Sequence, residues 1–298
     1  MDGITERDAA FQKLLKEMVV EQQREFKSMV DSGQLGLKMG EDSDAEYIDL
    51  LKKSGVNVEP LELQERKDAE ATEKWIAEVT PALVMGGDEQ SLVLQQLAEE
   101  RSVSLEQSQL KGDAAILTPS ALTVSDSDNL TMDLIPNNTC WNAYAWARGA
   151  GWGCVGGRAS KQVCVDWYYW FKPKTTKFYG IIPKIDYRGF YLVKANDKWY
   201  NCKYARVKID IGVNVHQYNW KGWSSWNIHN VGDDNISVNR RFDTIRAVNY
   251  SALLNANDWA LIRVRTCLDV YAKGSGSYAE LNFSAGSNRI CAKPLYVG

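Results

Sequence analysis

Residues 204–215 are Tyr-Ala-Arg-Val-Lys-Ile-Asp-Ile-Gly-Val-Asn-Val, and this stretch decides the fold class. Apolar side chains alternate along it with polar side chains or glycine. The apolar positions are Ala205, Val207, Ile209, Ile211, Val213 and Val215. Successive side chains of a β-strand point to opposite faces, so this period of two predicts a strand with one buried face.

The same alternation recurs after this strand. It covers 260–270, and the turn Gly274-Ser275-Gly276-Ser277 leads into a further strand at Tyr278–Phe283. Shorter strands are predicted at Trp167–Phe171, Phe178–Ile182, Phe190–Val193, Asn235–Val238 and Ile290–Val297. Many short strands without intervening helices indicate an antiparallel β-sandwich, of the jelly-roll or lectin/toxin-like kind.

The first hundred residues have the spacing of helices instead. Apolar residues at i, i+3, i+4 and i+7 predict an amphipathic helix over Asp8–Val30. Three more helices are predicted: one after Ser43 that ends at Gly55, one from Pro60 to Val79 that ends at Thr80-Pro81, and one after Gly86-Gly87-Asp88 that ends near Arg101. The predicted fold class is α+β multidomain, with an acidic helical bundle at 1–110, a linker at 111–136 and a basic, aromatic-rich β-sandwich at 137–298.

Charged and aromatic residues are also distributed unevenly between the helical and the β part of the sequence. Residues 1–139 carry 28 acidic and 13 basic side chains, a net charge of −15, whereas residues 140–298 carry 10 and 22, a net charge of +12. The first part holds 4 aromatic residues and the second holds 28. A basic field attracts polyanions or the acidic half of the same chain. So many rings in one domain indicate that some of them lie at a surface.

Six cysteines, at 140, 154, 164, 202, 267 and 291, all lie in the second part. An even number is compatible with three disulfides, and free thiols remain an alternative. Six cysteines allow about 15 connectivities, and the sequence does not choose among them. A Cys140–Cys154 pair across the turn at Gly149–Gly153 is the simple alternative to a reactive Cys140. There is no Cys-x-x-Cys pair, and His216 and His229 are the only histidines, so the sequence predicts neither a metal site nor a cofactor.

The start of the chain bears on localisation. Residues 1–18 are charged throughout and lack the apolar run of a secretory signal. We expect a secreted or released protein that leaves the cell by a route without a visible signal peptide.

The densest aromatic segment is Gln217-Tyr218-Asn219-Trp220-Lys221-Gly222-Trp223-Ser224-Ser225-Trp226-Asn227. Three tryptophans at i, i+3 and i+6 in a short loop are not expected to face one core, so at least one should be exposed. The predicted binding residues are Tyr218, Trp220, Lys221, Trp223, Trp226, Arg240 and Arg241. The alternative is a loop that folds over the sheet with its rings buried.

The motif Tyr218-Asn219-Trp220 followed by Trp226-Asn227 resembles the aromatic membrane-recognition loop of actinoporin-type pore-forming toxins. The resemblance covers about a dozen residues. It implies a β-sandwich in which Tyr218, Trp220 and Trp226 contact lipid, and a helix such as Asp8–Val30 that inserts into the membrane.

An enzyme is the competing hypothesis. The stretch Thr139-Cys140-Trp141, followed by an alanine-rich segment to Arg148, predicts a cysteine at a helix N-terminus, where the helix dipole favours the thiolate. Cys-Trp entering a helix is similar to papain-like and CHAP amidase sites. His216 or His229 would then serve as the base.

The favoured interpretation is a non-enzymatic, toxin-like or lectin-like protein that binds a cell surface. Its expected partner is a glycan or an anionic membrane surface, the helical half could form homo-oligomers or a pore, and nucleic acid is not an expected partner. A phage or capsid-type adhesin is a further alternative.

Overall fold

A computed structural model of the protein describes Lys13 and residues 42–106, 114–127, 134–154 and 157–298. Two helices come first, α1 (Asp42–Lys53) and α2 (Glu59–Glu106). The strands are β1 (Ala115–Leu117), β2 (Ala121–Asp126), β3 (Leu134–Pro136), β4 (Cys140–Trp141), β5 (Ala143–Arg148), β6 (Arg158–Phe171), β7 (Lys177–Ile182), β8 (Lys184–Arg188), β9 (Phe190–Asn196), β10 (Tyr204–Gln217), β11 (Asn219–Trp220), β12 (Ser224–Asp233), β13 (Asn235–Arg241), β14 (Thr244–Ala247), β15 (Tyr250–Leu254), β16 (Ala260–Lys273), β17 (Tyr278–Phe283), β18 (Arg289–Ala292) and β19 (Leu295–Val297).

The first layer of the sandwich, the front sheet, is built on three strands of 14 residues each, β10, β16 and β6. Its order is β11-β10-β16-β6-β2-β3, and β12 also pairs with β10. The apolar positions of 205–215 are all buried in the main core, whereas positions such as Arg206 and Lys208 on the other face are half-buried. The predicted strands over 204–215, 260–270 and 167–171 are therefore confirmed.

The second layer, the back sheet, consists of four long strands that are each interrupted. β7, β8 and β9 follow one another with single-residue breaks at Pro183 and Gly189. The neighbouring strands are broken at the same positions along the sheet. β15, β14 and β13 pair with β7, β8 and β9 on one side, and β19, β18 and β17 pair with them on the other. A Cβ at Gly189 would collide with the backbone carbonyl oxygen of Asn282, which explains glycine at that break. The short strands predicted at 178–182, 190–193, 235–238 and 278–283 are confirmed, whereas the strand predicted at 290–297 is divided into β18 and β19.

Residues 140–148 form β4 and β5, so the helix predicted after Cys140 is wrong. Ala143, Ala145 and Ala147 are buried and alternate with the outward side chains of Tyr144 and Trp146. The alanines therefore recur with the period of a strand, and they mark its buried face rather than a helix.

All six cysteines form disulfides: Cys140–Cys291, Cys154–Cys202 and Cys164–Cys267. The predicted Cys140–Cys154 pair is wrong. Sheet register gives the reason, because Cys140 lies directly opposite Cys291 on β18 with Cα atoms 4.0 Å apart. Cys164 and Cys267 likewise oppose each other on β6 and β16, 4.1 Å apart.

The segment predicted as a linker, 111–136, contains β1, β2 and β3. β2 pairs with β6 along its whole length, and Leu122 is fully buried in the main core. β2 and β3 therefore belong to the front sheet, whereas β1 pairs with β19 at the edge of the back sheet.

Within the described residues, the helical part consists of two helices rather than the predicted bundle. α1 is confirmed, and it ends before Gly55, which has a positive φ of 81°. The breaks predicted at Pro81 and Gly86-Gly87 are wrong, because α2 runs through all three residues. The predicted helix Asp8–Val30 lies outside the described residues, Lys13 excepted.

α2 continues past Pro81 while its apolar face packs on the back sheet. Trp75, Ile76, Val79 and Leu83 contact Phe190 and its neighbours Leu192 and Tyr278 on β9 and β17. A proline inside a helix costs about 3 kcal/mol, and burial of several large side chains offsets a cost of that size. None of the described helices is long and apolar enough to cross a membrane.

Ion pairs fix the start of α2 to the loop between β9 and β10. The Lys203 ammonium is buried and lies 3.1 Å from Glu65 and 2.9 Å from Asp68, and Lys198 lies 2.7 Å from Asp68. Asn201 donates a hydrogen bond of 2.6 Å to Glu65. Part of the charge difference between the two halves of the sequence is therefore an internal contact.

We predict that Lys203→Met lowers the free energy of unfolding by about 3–5 kcal/mol, because it leaves two carboxylates near each other without their buried cation. Urea denaturation at pH 7 measures the change. Lys53→Met is the control, since Lys53 forms an exposed pair with Asp49 and should lose less than about 1 kcal/mol. Equal losses in the two variants would contradict the anchoring role of Lys203.

Asp68 makes this anchor sensitive to acid. Burial raises the pKa of Asp68, but hydrogen bonds from Lys198 and Lys203 outweigh it, so the pKa lies below its ordinary value. A carboxylate with a lowered folded-state pKa contributes stability above its unfolded pKa of about 3.9 and loses it as the pH falls further. We expect Asp68→Asn to be less stable than the wild type at pH 6 and the difference to shrink below about pH 4, measured by urea denaturation; a difference independent of pH would contradict this.

Candidate functional site

The aromatic loop predicted to bind a surface folds back onto the front sheet. β10 ends at Gln217, and Tyr218 turns the chain with a positive φ of 67° before β11. Tyr218 remains 68% exposed. Trp220, Trp223 and Trp226 are each partly buried.

Trp223 packs on the outer face of the front sheet. A Cβ at Gly212 would lie 3.2 Å from its indole ring, so the glycine leaves the space that this ring occupies. The guanidinium groups of Arg263 and Arg265 each lie 4.9 Å from the ring centroid. Both also donate to the buried carboxylate of Asp166. Burial by itself would raise the pKa of Asp166. The charges and hydrogen bonds of the two arginines lower it by more, so the pKa lies below its ordinary value.

The other predicted residues are dispersed. Trp226 packs against the main core, and Lys221 is exposed beside Trp220. Arg240 and Arg241 lie on β13 of the back sheet, and Arg241 is occupied by Asp243 and by the carbonyl oxygen of Leu83 on α2. The lipid-contact role that the actinoporin resemblance implies stays a prediction.

A row of four side chains crosses the outer face of the front sheet. Trp220 pairs with His216, His216 with Leu261, and Leu261 with Trp170, on four neighbouring strands. The His216 and Trp220 rings are 5.2 Å apart. The row is therefore a nearly continuous apolar strip at one end of the sandwich, across strands about 4.8 Å apart.

Two exposed rings flank this row. Trp259 is 46% exposed, and its ring lies 6.3 Å from that of Trp170 in an edge-to-face arrangement. Tyr218 donates its hydroxyl hydrogen bond to the carboxylate of Asp258, which raises the pKa of Tyr218. The Lys172 ammonium lies 5.8 Å from the Trp259 ring. We call Trp170, Lys172, Tyr218, Asp258 and Trp259 the aromatic end.

Gln217 fixes the loop that carries Asp258 and Trp259. Its buried side chain donates to the carbonyl oxygens of Asn255 at 3.1 Å and of Asp258 at 3.0 Å, and it accepts the Asn255 amide at 2.8 Å. The Asn257 amide donates to the Pro173 carbonyl oxygen at 2.8 Å. The loop is thus tied to both β10 and the β6–β7 connection, so the Trp259 ring is held in place before any ligand arrives.

The sequence analysis overlooked Trp170, Lys172, Gln217, Asp258 and Trp259. A signal was present for Trp259, since 259 has the same parity as the outward residues Arg263 and Arg265 on the strand predicted at 260–270. Trp170 follows the same rule on β6, where the odd-numbered Trp167 and Tyr169 face the core. The proximity of the loops had no signal in the sequence.

The cysteine hydrolase alternative is wrong in its central residue. Cys140 lies on a strand and is bonded to Cys291. His216 packs on Trp220, and His229 lies between Tyr191 and Phe242, 4.6 Å from each ring. Burial, with a contribution from Arg246, lowers the pKa of His229. Among the described residues, no group of three or more His, Cys, Asp or Glu side chains could hold a metal ion.

No family model matches the chain, and no curated protein matches it. Solved structures do resemble it. An isomalto-dextranase of Arthrobacter globiformis T6 complexed with panose is 10% identical with a TM-score of 0.20, and the match covers 64% of this chain but only 33% of that one. A family 35 carbohydrate-binding module from Clostridium thermocellum is 12% identical with a TM-score of 0.18, over 62% of this chain and 98% of that one.

A third similar structure is the epithelial adhesin 6 A domain from Candida glabrata in complex with Galb1-3GlcNAc. It is 11% identical with a TM-score of 0.21, over 62% of this chain and 94% of that one. TM-scores this low carry no argument about function, so the function has to be argued from the site.

We predict that Gln217→Ala loosens the loop at 255–258. The Asn255 amide loses its acceptor, so its hydrogen exchange should accelerate about fivefold, since a hydrogen bond contributes about 1 kcal/mol. Amide exchange followed by NMR measures this. Thr176→Ala is the matched control, because Thr176 accepts the Ala256 amide and only that amide should accelerate. Unchanged hydrogen exchange of the Asn255 amide in Gln217→Ala would show that Gln217 does not hold this loop in place.

Proposed function

We propose that the protein is an extracellular, non-enzymatic, lectin-like module that binds glycans through the aromatic end. The observation that supports this best is the exposure of two rings beside a carboxylate and an ammonium group: Trp259, at the end of the loop that Gln217 holds, and Tyr218, next to Gln217 itself. Exposed rings on a fixed support, next to polar groups, suit a ligand with both apolar and polar faces.

Sugar rings have this double character. One face of a hexose presents C–H groups, which pack on the flat face of an aromatic ring, and its rim presents hydroxyl groups, which need hydrogen-bond partners. Trp259 and Tyr218 supply the rings. Burial of such a ring typically contributes 1.5–3 kcal/mol, which corresponds to a factor of about ten to one hundred in affinity.

The polar groups of the aromatic end match the rim of a sugar. A carboxylate has about four lone-pair sites, and the Tyr218 hydroxyl occupies one of those on Asp258. Lys172 adds three donors, with its ammonium group 5.8 Å from the Trp259 ring centroid. Both charged groups sit at the surface, where they exchange water for sugar hydroxyls without burying an unpaired charge.

The rigidity of the loop that carries Trp259 also favours binding. Binding usually costs about 0.5–1.5 kcal/mol for each side chain that it immobilises. Here the hydrogen bonds of Gln217 and the contact between Trp170 and Trp259 have already fixed the loop that carries Asp258 and Trp259. Three disulfides are typical of proteins in an oxidising environment, which agrees with a glycan ligand outside the cell.

We predict that Trp259→Ala and Tyr218→Ala each weaken glycan binding by tenfold or more. The full chain is screened on a glycan array and against dextran, galactomannan, xylan and heparin by affinity electrophoresis. Trp199→Ala is the matched control, since Trp199 is 75% exposed on the β9–β10 loop, away from the aromatic end. This variant should bind like the wild type.

Two outcomes would overturn the proposal. One is that the wild type binds none of these glycans. The other is binding to phosphatidylserine vesicles that Trp259→Ala abolishes while no glycan binds, which would make the aromatic end a membrane-contact surface.

A further inference from the structure

The outer face of the back sheet carries a second aromatic surface, on its edge strand β5. α2 covers β9 and β13, and its apolar residues also contact Tyr278 on β17. On β5, Trp146 remains 44% exposed and Tyr144 38% exposed. We call Tyr144 and Trp146 the β5 surface.

These rings rest on a hydrogen-bonded support. Trp146 stacks on Tyr278 with ring centroids 6.5 Å apart and planes inclined by 28°. The Tyr278 hydroxyl donates to the buried carboxylate of Glu280 at 2.7 Å, and the Asn282 amide donates to the other oxygen of that carboxylate at 2.9 Å. Tyr278 is therefore fixed, and it fixes the position of the indole above it.

Trp146 and Tyr144 lie opposite Glu280 and Asn282 in the sheet and outside the main core. Ala143, Ala145 and Ala147 already fill the core side of β5, and hydrophobic stabilisation comes only from apolar area removed from water. The exposed part of each ring contributes nothing to that burial. Arg148, next on the same face, pairs with Glu73 of α2 and lies 5.9 Å from the Tyr278 ring, so it adds guanidinium donors beside the rings.

We propose that the β5 surface is a second glycan-binding site, for the same class of polysaccharide as the aromatic end. This inference rests on the proposed function. The aromatic end lies on the outer face of the front sheet and the β5 surface on the outer face of the back sheet. The two sites therefore face away from each other, and one molecule can hold two polysaccharide chains together.

Calorimetry and turbidity test the inference on the full chain. The probe is whichever of dextran, galactomannan, xylan or heparin the wild type binds most tightly, and a short oligosaccharide of it for stoichiometry. The wild type should bind two oligosaccharides per chain and make the polysaccharide solution turbid. Trp146→Ala and Trp259→Ala should each bind one and produce no turbidity, and the double variant should bind none. Trp199→Ala should match the wild type.

The outcomes separate this inference from the proposed function. Two sites and full turbidity in Trp146→Ala overturn the β5 surface and leave the aromatic end intact. If the wild type has one site and Trp259→Ala abolishes it, the β5 surface is likewise overturned and the aromatic end stands. If the wild type has one site and only Trp146→Ala abolishes it, the aromatic end is overturned instead. Retained binding at the aromatic end shows that Trp146→Ala is folded, and Trp146→Phe, which keeps a ring, should recover part of the second site.

Discussion

The structure depends on the pairing of β10, β16 and β6 in one fixed register over fourteen residues. Each strand has one predominantly apolar face, so a slip by a single residue would turn that face to solvent. The register also places Cys164 opposite Cys267, and their disulfide locks it covalently. Every feature of the outer face follows from this pairing, because outward side chains on neighbouring strands then meet in rows.

Two of those rows have different roles. The row through Trp220, His216, Leu261 and Trp170 ends in exposed rings and forms the base of the aromatic end. Two rows further along, Gly212 lies opposite Arg265 and leaves room for Trp223. Trp223, which the sequence predicted as a binding residue, thus covers a buried cluster on the outer face, in which Arg263 and Arg265 both pair with Asp166.

Charge complementarity also acts within the chain. The acidic start of α2 and the basic loop that carries Lys198 and Lys203 neutralise each other around a buried ammonium group. The disulfide between Cys154 and Cys202 fixes the chain next to this loop. This part of the opposite charge of the two sequence halves does not imply an external polyanion, and the proposed ligand site rests on exposed rings rather than on net charge.

The sequence by itself determined the strands with period two, the start and end of α1 and the aromatic richness of the second half, because these properties are local and repeat along the chain. It misassigned the alanine-rich segment at 143–147, where alanine suits both a helix and a close-packed strand. It also placed breaks at Pro81 and Gly86, which packing of Trp75, Val79 and Leu83 on the back sheet overrides. Only the tertiary structure decided which cysteines pair, that Trp223 is covered while Trp259 is exposed, and that Gln217 meets Asp258. Each of these depends on residues far apart in the chain that sheet register brings side by side, and no local pattern encodes that register.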